Sequence, residues 1–74
     1  MTTSESTEEW ILSKCAATGE LADVTFDKTD LPAGVDIEDV KRVFGSLKRS
    51  GRIVGGGVAD SHNGGYMMRL KRVV

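Results

Sequence analysis

The 74-residue chain has few of the residues that stabilise or anchor several other classes of protein. Cys15 is the only cysteine, so no intramolecular disulfide can form, which fits a reducing compartment such as the cytoplasm. No apolar run approaches the ~20 residues needed to span a bilayer, and the polar, acidic start is unlike a signal peptide. With four aromatic residues and one proline, we expect one small domain whose core is mainly aliphatic.

The residue groupings that enzymes and metalloproteins need are also missing. His62 is the single histidine, and no second histidine or cysteine stands at metal-ligand spacing. The glycines at 55–57 are not followed by the Gly-Lys-Ser/Thr sequence of a phosphate-binding loop. Asp60 and His62 could form an acid–base pair, but such a pair alone is a weak signal for catalysis. We therefore expect no enzymatic activity, no metal and no cofactor.

Charge is divided unequally along the chain. Residues 1–40 hold two basic and ten acidic side chains, whereas residues 41–74 hold eight basic side chains and one acidic, although the whole chain has a net charge of −1. A half with such an excess of positive charge is typical of polyanion-binding proteins. The alternative is that the two halves neutralise each other through ion pairs within the folded chain.

The clearest predicted element is a helix over residues 37–50. Asp36 is a favourable N-cap, and Gly51 suits the left-handed position that follows a helix. The apolar residues recur at helical spacing and predict one buried face. They are Ile37, Val40, Val43, Phe44 and Leu47.

The opposite face of this helix is basic. At about 100° per residue, Arg42 and Arg49 point away from the apolar stripe, and Gly45 and Ser46 lie between them. These small residues would let another surface approach the helix backbone. A short basic helix fits the major groove of DNA, although a solvated helix surface is the alternative. With the basic residues of the chain that follows, the candidate DNA contacts are Lys41, Arg42, Ser46, Lys48, Arg49, Arg52, Arg69 and Lys71.

A first helix is predicted nearer the start of the chain. Ser6 and Glu9 form a Ser-x-x-Glu capping box, so we expect a helix from Ser6 to about Thr18 after a disordered tail of residues 1–5. Trp10 has two interpretations on this helix. It either covers the edge of the core or anchors a contact with another protein.

The remaining elements are short. Residues 24–26 favour a strand, and residues 27–31 allow one helical turn before Pro32. Residues 52–54 and 66–73 alternate as strands, with the apolar face of the second directed at the helices. Residues 55–65 are predicted to be a glycine-rich loop that joins the two strands into a hairpin.

This order of helix, strand, short helix, longer helix and hairpin resembles the winged helix-turn-helix family of DNA-binding domains. The residues that carry the resemblance are Val-Thr-Phe at 24–26 leading to Asp30-Leu31, Asp-Val-Lys-Arg-Val at 39–43, and Leu-Lys-Arg-Ser-Gly-Arg-Ile at 47–53. The resemblance implies an α+β fold over residues 6–74, with three helices and a C-terminal two- or three-stranded β-wing. It also implies that helix 37–50 enters the major groove and that hairpin 52–73 acts as the wing. The sequence departs from the family at Pro32, which shortens the second helix, and at the hairpin tip, which has no Arg or Lys.

Two functions from different classes follow. The first is a non-enzymatic regulator of transcription or replication that binds double-stranded DNA, in the cytoplasm or on the nucleoid, with homodimerisation left open. The second is a protein–protein interaction module on the same fold, which contacts its partner through the acidic first helix and Trp10.

Overall fold

The computed structural model describes residues 2–15, 20–61 and 64–73, and this part of the chain has an α+β architecture. Its two α-helices are α1 (Thr3–Ser13) and α2 (Ile37–Arg49), and its three strands are β1 (Ala22–Phe26), β2 (Ile53–Asp60) and β3 (Tyr66–Arg72). The strands form one antiparallel sheet in the order β1-β3-β2, so β3 is central. No helix in the described residues is long and apolar enough to cross a membrane.

The predicted third helix is a single 3₁₀ turn, Lys28–Asp30, so the described chain has two α-helices and the expectation of three is wrong. The Asp27 carboxylate accepts a hydrogen bond from the Thr29 N–H at 2.8 Å, and the Asp30 carboxylate accepts one from the Asp27 N–H at 2.9 Å. The turn cannot lengthen into a helix, because Leu31 precedes Pro32 and is extended at φ −76° and ψ 147°.

The first helix begins earlier than predicted. Thr2 is the N-cap, and its hydroxyl accepts from the Glu5 N–H at 3.1 Å, so the predicted start at Ser6 is wrong. Residues 3–5 belong to α1 rather than to a disordered tail. Thr2 and Glu5 have the same Thr/Ser-x-x-Glu spacing as Ser6 and Glu9, four residues earlier in the chain. The sequence alone does not show which of the two patterns begins the helix. The helix ends at Ser13, before the predicted Thr18, which lies outside the described residues.

The hydrophobic core lies between the two helices and one face of the sheet. Ile11 of α1 and Met68 and Leu70 of β3 are fully buried. The remaining core residues, contributed by β1, α2 and β2, are Phe26, Val40, Val43, Phe44, Leu47 and Ile53. The apolar stripe predicted on α2 is therefore confirmed, and it fixes which face of this helix is outward.

The hairpin differs from the prediction because the glycines at 55–57 lie within β2 and not in a loop. Strand β2 continues to Asp60 and β3 begins at Tyr66, and His62 and Asn63, which were predicted to lie in the loop, are outside the described residues. The pairing with β3 shifts between Gly55 and Gly57, which makes a β-bulge around Gly56. A Cβ at Gly55 would overlap the backbone carbonyl of Arg69, so glycine allows β2 and β3 to pair here.

Candidate nucleic-acid interface

The outward face of α2 carries most of the predicted contact residues. Burial of Val40, Val43 and Leu47 turns the opposite side of the helix to solvent. Five of the eight predicted DNA-binding residues are exposed on it, namely Lys41, Arg42, Ser46, Lys48 and Arg49. Gly45 lies between the two arginines, and a Cβ added there would meet no heavy atom within 4 Å outside the helix and its chain neighbours.

The two ends of α2 have opposite charge. At its start, the Asp36 carboxylate accepts from the Asp39 N–H at 3.0 Å, and the Asp39 carboxylate accepts from the Asp36 N–H at 3.1 Å. These bonds and Glu38 make the first turn acidic, and the caps satisfy N–H groups that could otherwise bind an anion. At its end Lys48 and Arg49 precede Gly51, whose φ of +79° stops the helix as predicted.

Arg42 is exposed but already has partners in the chain. Its guanidinium forms an ion pair with Asp39 at 3.0 Å and donates to the Ser4 hydroxyl of α1 at 3.3 Å. The Asp36 N–H, and then Arg42, lower the pKa of Asp39, because both bond its charged form. The Arg42 side chain is 58% exposed, so water and salt screen the pair, and a phosphate group can compete with it.

Two other predicted contact residues are also paired with acids from the first half of the chain. Arg52 pairs with Glu8 of α1. Arg69 donates to both carboxylate oxygens of Asp23 at 2.7 and 3.2 Å, and this hydrogen bonding lowers the pKa of Asp23. Each of the three ion pairs in the described chain therefore joins an acid of residues 1–40 to an arginine of residues 41–74.

Two of the hairpin cations, Arg69 and Lys71, do not extend the surface of α2. In β3, Met68 and Leu70 face the helices, so Arg69 and Lys71 point to the other side of the sheet. Arg69 lies opposite Asp23 in the register, and Lys71 lies opposite Val54. The structure therefore brings together the contact residues of α2 but leaves Arg69 and Lys71 on the far side of the domain.

Three cations remain without an acidic partner on the outward face of α2. Lys41, Lys48 and Arg49 make no ion pair with any residue in ranges 2–15, 20–61 and 64–73. We call these three residues and Arg42 the basic face. The sequence predicts ion pairing between the halves only as an alternative, and it does not identify Glu8, Asp23 or Asp39 as the partners. The unequal division of charge was the signal for Glu8 and Asp23, and the i, i+3 spacing of Asp39 and Arg42 on the predicted helix was a further signal for Asp39.

Trp10 lies at the edge of the core, as one of its two interpretations predicted. Its ring meets the Phe26 ring edge-on, with centroids 5.0 Å apart, and the Lys14 ammonium lies 5.6 Å from its centroid. The side chain is half-buried in these contacts. Since its apolar surface is already used within the fold, no observation favours Trp10 as an anchor for another protein.

The acidic residues near the hairpin loop have structural roles. Asp27 and Asp30 border a shallow hollow with Ser61 and Tyr66, and both carboxylates accept the backbone bonds that hold the 3₁₀ turn. Within the described residues, no three His, Cys, Asp or Glu side chains are grouped in a way that could hold a metal ion.

Comparison of the chain with models of known families, with characterised protein sequences and with solved structures gave no significant match in any of the three. Its function is therefore inferred from the residues and geometry of the chain itself.

Proposed function

We propose that this chain is a non-enzymatic DNA-binding protein of the winged helix-turn-helix kind that docks the basic face of α2 against duplex DNA. The β2–β3 hairpin would be the wing. Its role would be that of a small regulator of transcription or replication, in the cytoplasm or on the nucleoid. The order of α1, β1, 3₁₀ turn, α2 and hairpin supports the proposal, since this is the order on which the resemblance rests.

One observation carries the proposal. Lys41, Lys48 and Arg49 stay unpaired within the described chain although three other arginines find acids in the first half. A capped helix holds all three on one exposed surface. Phosphate groups are the natural partners for a row of such cations, because neutralising phosphates releases condensed counterions.

The electrostatics predict how DNA binding depends on salt. If the basic face neutralises about four phosphates, log K should fall with log salt at a slope of about −3.6. The whole chain has a net charge of −1, so attraction depends on the local face and not on total charge. At about 0.1 M salt the Debye length is about 10 Å, which is short beside the 31 × 29 × 19 Å extents of the domain.

Replacing Arg49 tests the proposal. We expect Arg49→Ala to weaken binding to a random-sequence duplex and to reduce the salt slope by about 0.9, because one phosphate contact is lost. Fluorescence anisotropy over a series of salt concentrations measures both quantities, and circular dichroism checks the fold. Arg69→Ala is the matched control, since it removes the same side chain from the far side of the sheet.

Two results would contradict the proposal. One is the absence of wild-type binding at about 50 mM salt, where electrostatic attraction to DNA is strong. The other is equal affinity for Arg49→Ala and Arg69→Ala, which would mean that the basic face has no special part in binding.

A further inference from the structure

Gly45 is a glycine that the fold of this chain does not require. It lies inside the 13-residue helix α2, its φ is in the ordinary negative range, and a Cβ there would contact nothing within 4 Å outside the helix and its neighbours. Glycine is the least favourable residue after proline in a helix interior. Alanine would therefore suit the isolated domain better at this position.

Two other glycines of the chain have a local reason that Gly45 lacks. Gly51 has a φ of +79°, which stops α2, and Gly55 prevents an overlap with the backbone of β3. Gly45 has neither a positive φ nor a close neighbour. On the exposed face of a helix, a residue without a side chain would let an external surface touch the backbone.

The surroundings of Gly45 indicate what that surface is. Arg42 is one turn before it and Arg49 is one turn after it on the same outward stripe, and their Cα atoms are about 10 Å apart along the helix axis. Gly45 thus leaves a gap on the helix surface between two arginine positions, although the Arg42 guanidinium is bonded to Asp39 and Ser4 and has to leave them to bind a phosphate there. A negatively charged chain that crosses the helix can enter this gap and reach both arginines.

The acidic start of α2 limits which part of the helix DNA can approach. In helix-turn-helix proteins the N-terminal residues of the recognition helix commonly contact base edges. Here that end carries Glu38 and the Asp36–Asp39 capping box, which repel phosphates and satisfy the N–H groups. The middle and the C-terminal half of the helix are the parts suited to contact.

We infer that duplex DNA meets α2 broadside, with the sugar–phosphate backbone of one strand seated against Gly45 between Arg42 and Arg49. This inference rests on the proposed DNA-binding function and specifies its geometry. Contact with the sugar–phosphate backbone positions the protein on the duplex without reading its sequence.

A size series at position 45 tests this geometry. We expect Gly45→Ala and Gly45→Gln to raise Tm by about 4–8 °C, since both residues favour a helix more than glycine does. We also expect affinity for a random-sequence duplex to fall with side-chain size, several-fold for alanine and at least tenfold for glutamine. Gain in stability with loss of binding cannot come from damage to the fold. Anisotropy titrations at about 50 mM salt measure the affinity.

The outcomes separate the two proposals. If the wild type does not bind, the DNA-binding function itself is wrong. If the wild type binds in a manner that depends on Arg49 but Gly45→Gln binds equally well, only the broadside contact is wrong. Repeating the series on an A·T-rich and a G·C-rich duplex checks the type of contact. Equal losses support backbone contact, and a loss on one duplex alone would overturn it.

Discussion

The adjacent glycines Gly55 and Gly56 should respond in opposite directions to alanine. At Gly55 a Cβ would overlap the carbonyl oxygen of Arg69 and lie 2.9 Å from the Cα of Leu70, and both atoms belong to the backbone of β3. Neither can move aside as a flexible side chain would. At Gly56, the extra residue of the bulge, a Cβ would meet nothing within 4 Å and φ is not positive.

The size of each effect follows from this geometry. A carbon normally stays about 3.3 Å or more from a carbonyl oxygen, so Gly55→Ala must separate β2 and β3 by roughly an ångström. Overpacking costs about 1–3 kcal/mol, and a lost ladder hydrogen bond adds about 1 kcal/mol. The total of about 2–4 kcal/mol is a large part of the stability of so small a domain. Gly56→Ala should instead stabilise by about 0.4–1 kcal/mol, because it restricts the unfolded chain.

Urea unfolding measures both variants. Trp10 is the only tryptophan and packs on Phe26, so its fluorescence reports loss of the core. We expect the Gly55→Ala midpoint to fall clearly below that of the wild type and the Gly56→Ala midpoint to equal or exceed it. In thermal unfolding, the loss at Gly55 should be at least about 8 °C. A wild-type midpoint for Gly55→Ala would refute both the bulge position and the close pairing of the strands.

Two further predictions concern the charges. Glu8→Gln should free Arg52 to bind a phosphate, so the salt slope of DNA binding should steepen by up to about 0.9. Glu9→Gln makes the same charge change on the same helix and should leave the slope unchanged. Equal slopes for the two variants would contradict this prediction. The bond to Arg69 lowers the pKa of Asp23, and the bond from the Asp36 N–H lowers the pKa of Asp39. These two ionised carboxylates therefore stabilise the fold fully above the unfolded Asp pKa of about 3.9, and this stabilisation is lost as pH falls through the folded pKa values. Urea midpoints should therefore fall below about pH 4, and Asp23→Asn should flatten part of that fall; a midpoint constant down to about pH 2.5 would show that these bonds do not stabilise the fold.

Local signals in the sequence predicted α2 well. The Asp36 cap, the apolar spacing of Val40, Val43 and Leu47, and Gly51 all act within a few residues of one another. Each is read directly from the chain, because a helix satisfies its own backbone hydrogen bonds. The outward direction of the basic face followed from the same spacing.

Features that depend on distant residues were not predicted. The glycines at 55–57 have low strand propensity and looked like a loop, but pairing with β3 places them in a strand. The ion pairs of Arg52 and Arg69 join residues 44 and 46 positions apart, which no local pattern can indicate. Which cations are paired and which are unpaired could therefore not be predicted from the sequence.

Under the proposed function, the number of unpaired cations on α2 limits how strongly this helix can bind DNA. Lys41, Lys48 and Arg49 are unpaired within the described residues, and Arg42 can exchange Asp39 for a phosphate, so one α2 offers about four contacts. The corresponding slope implies a loss of about 150-fold in affinity between 50 and 200 mM salt. Two linked copies would bind far more tightly without any new type of contact, because the second binding event becomes intramolecular. The salt series therefore has to begin at about 50 mM, where even one copy of the basic face must show binding if the proposal is correct.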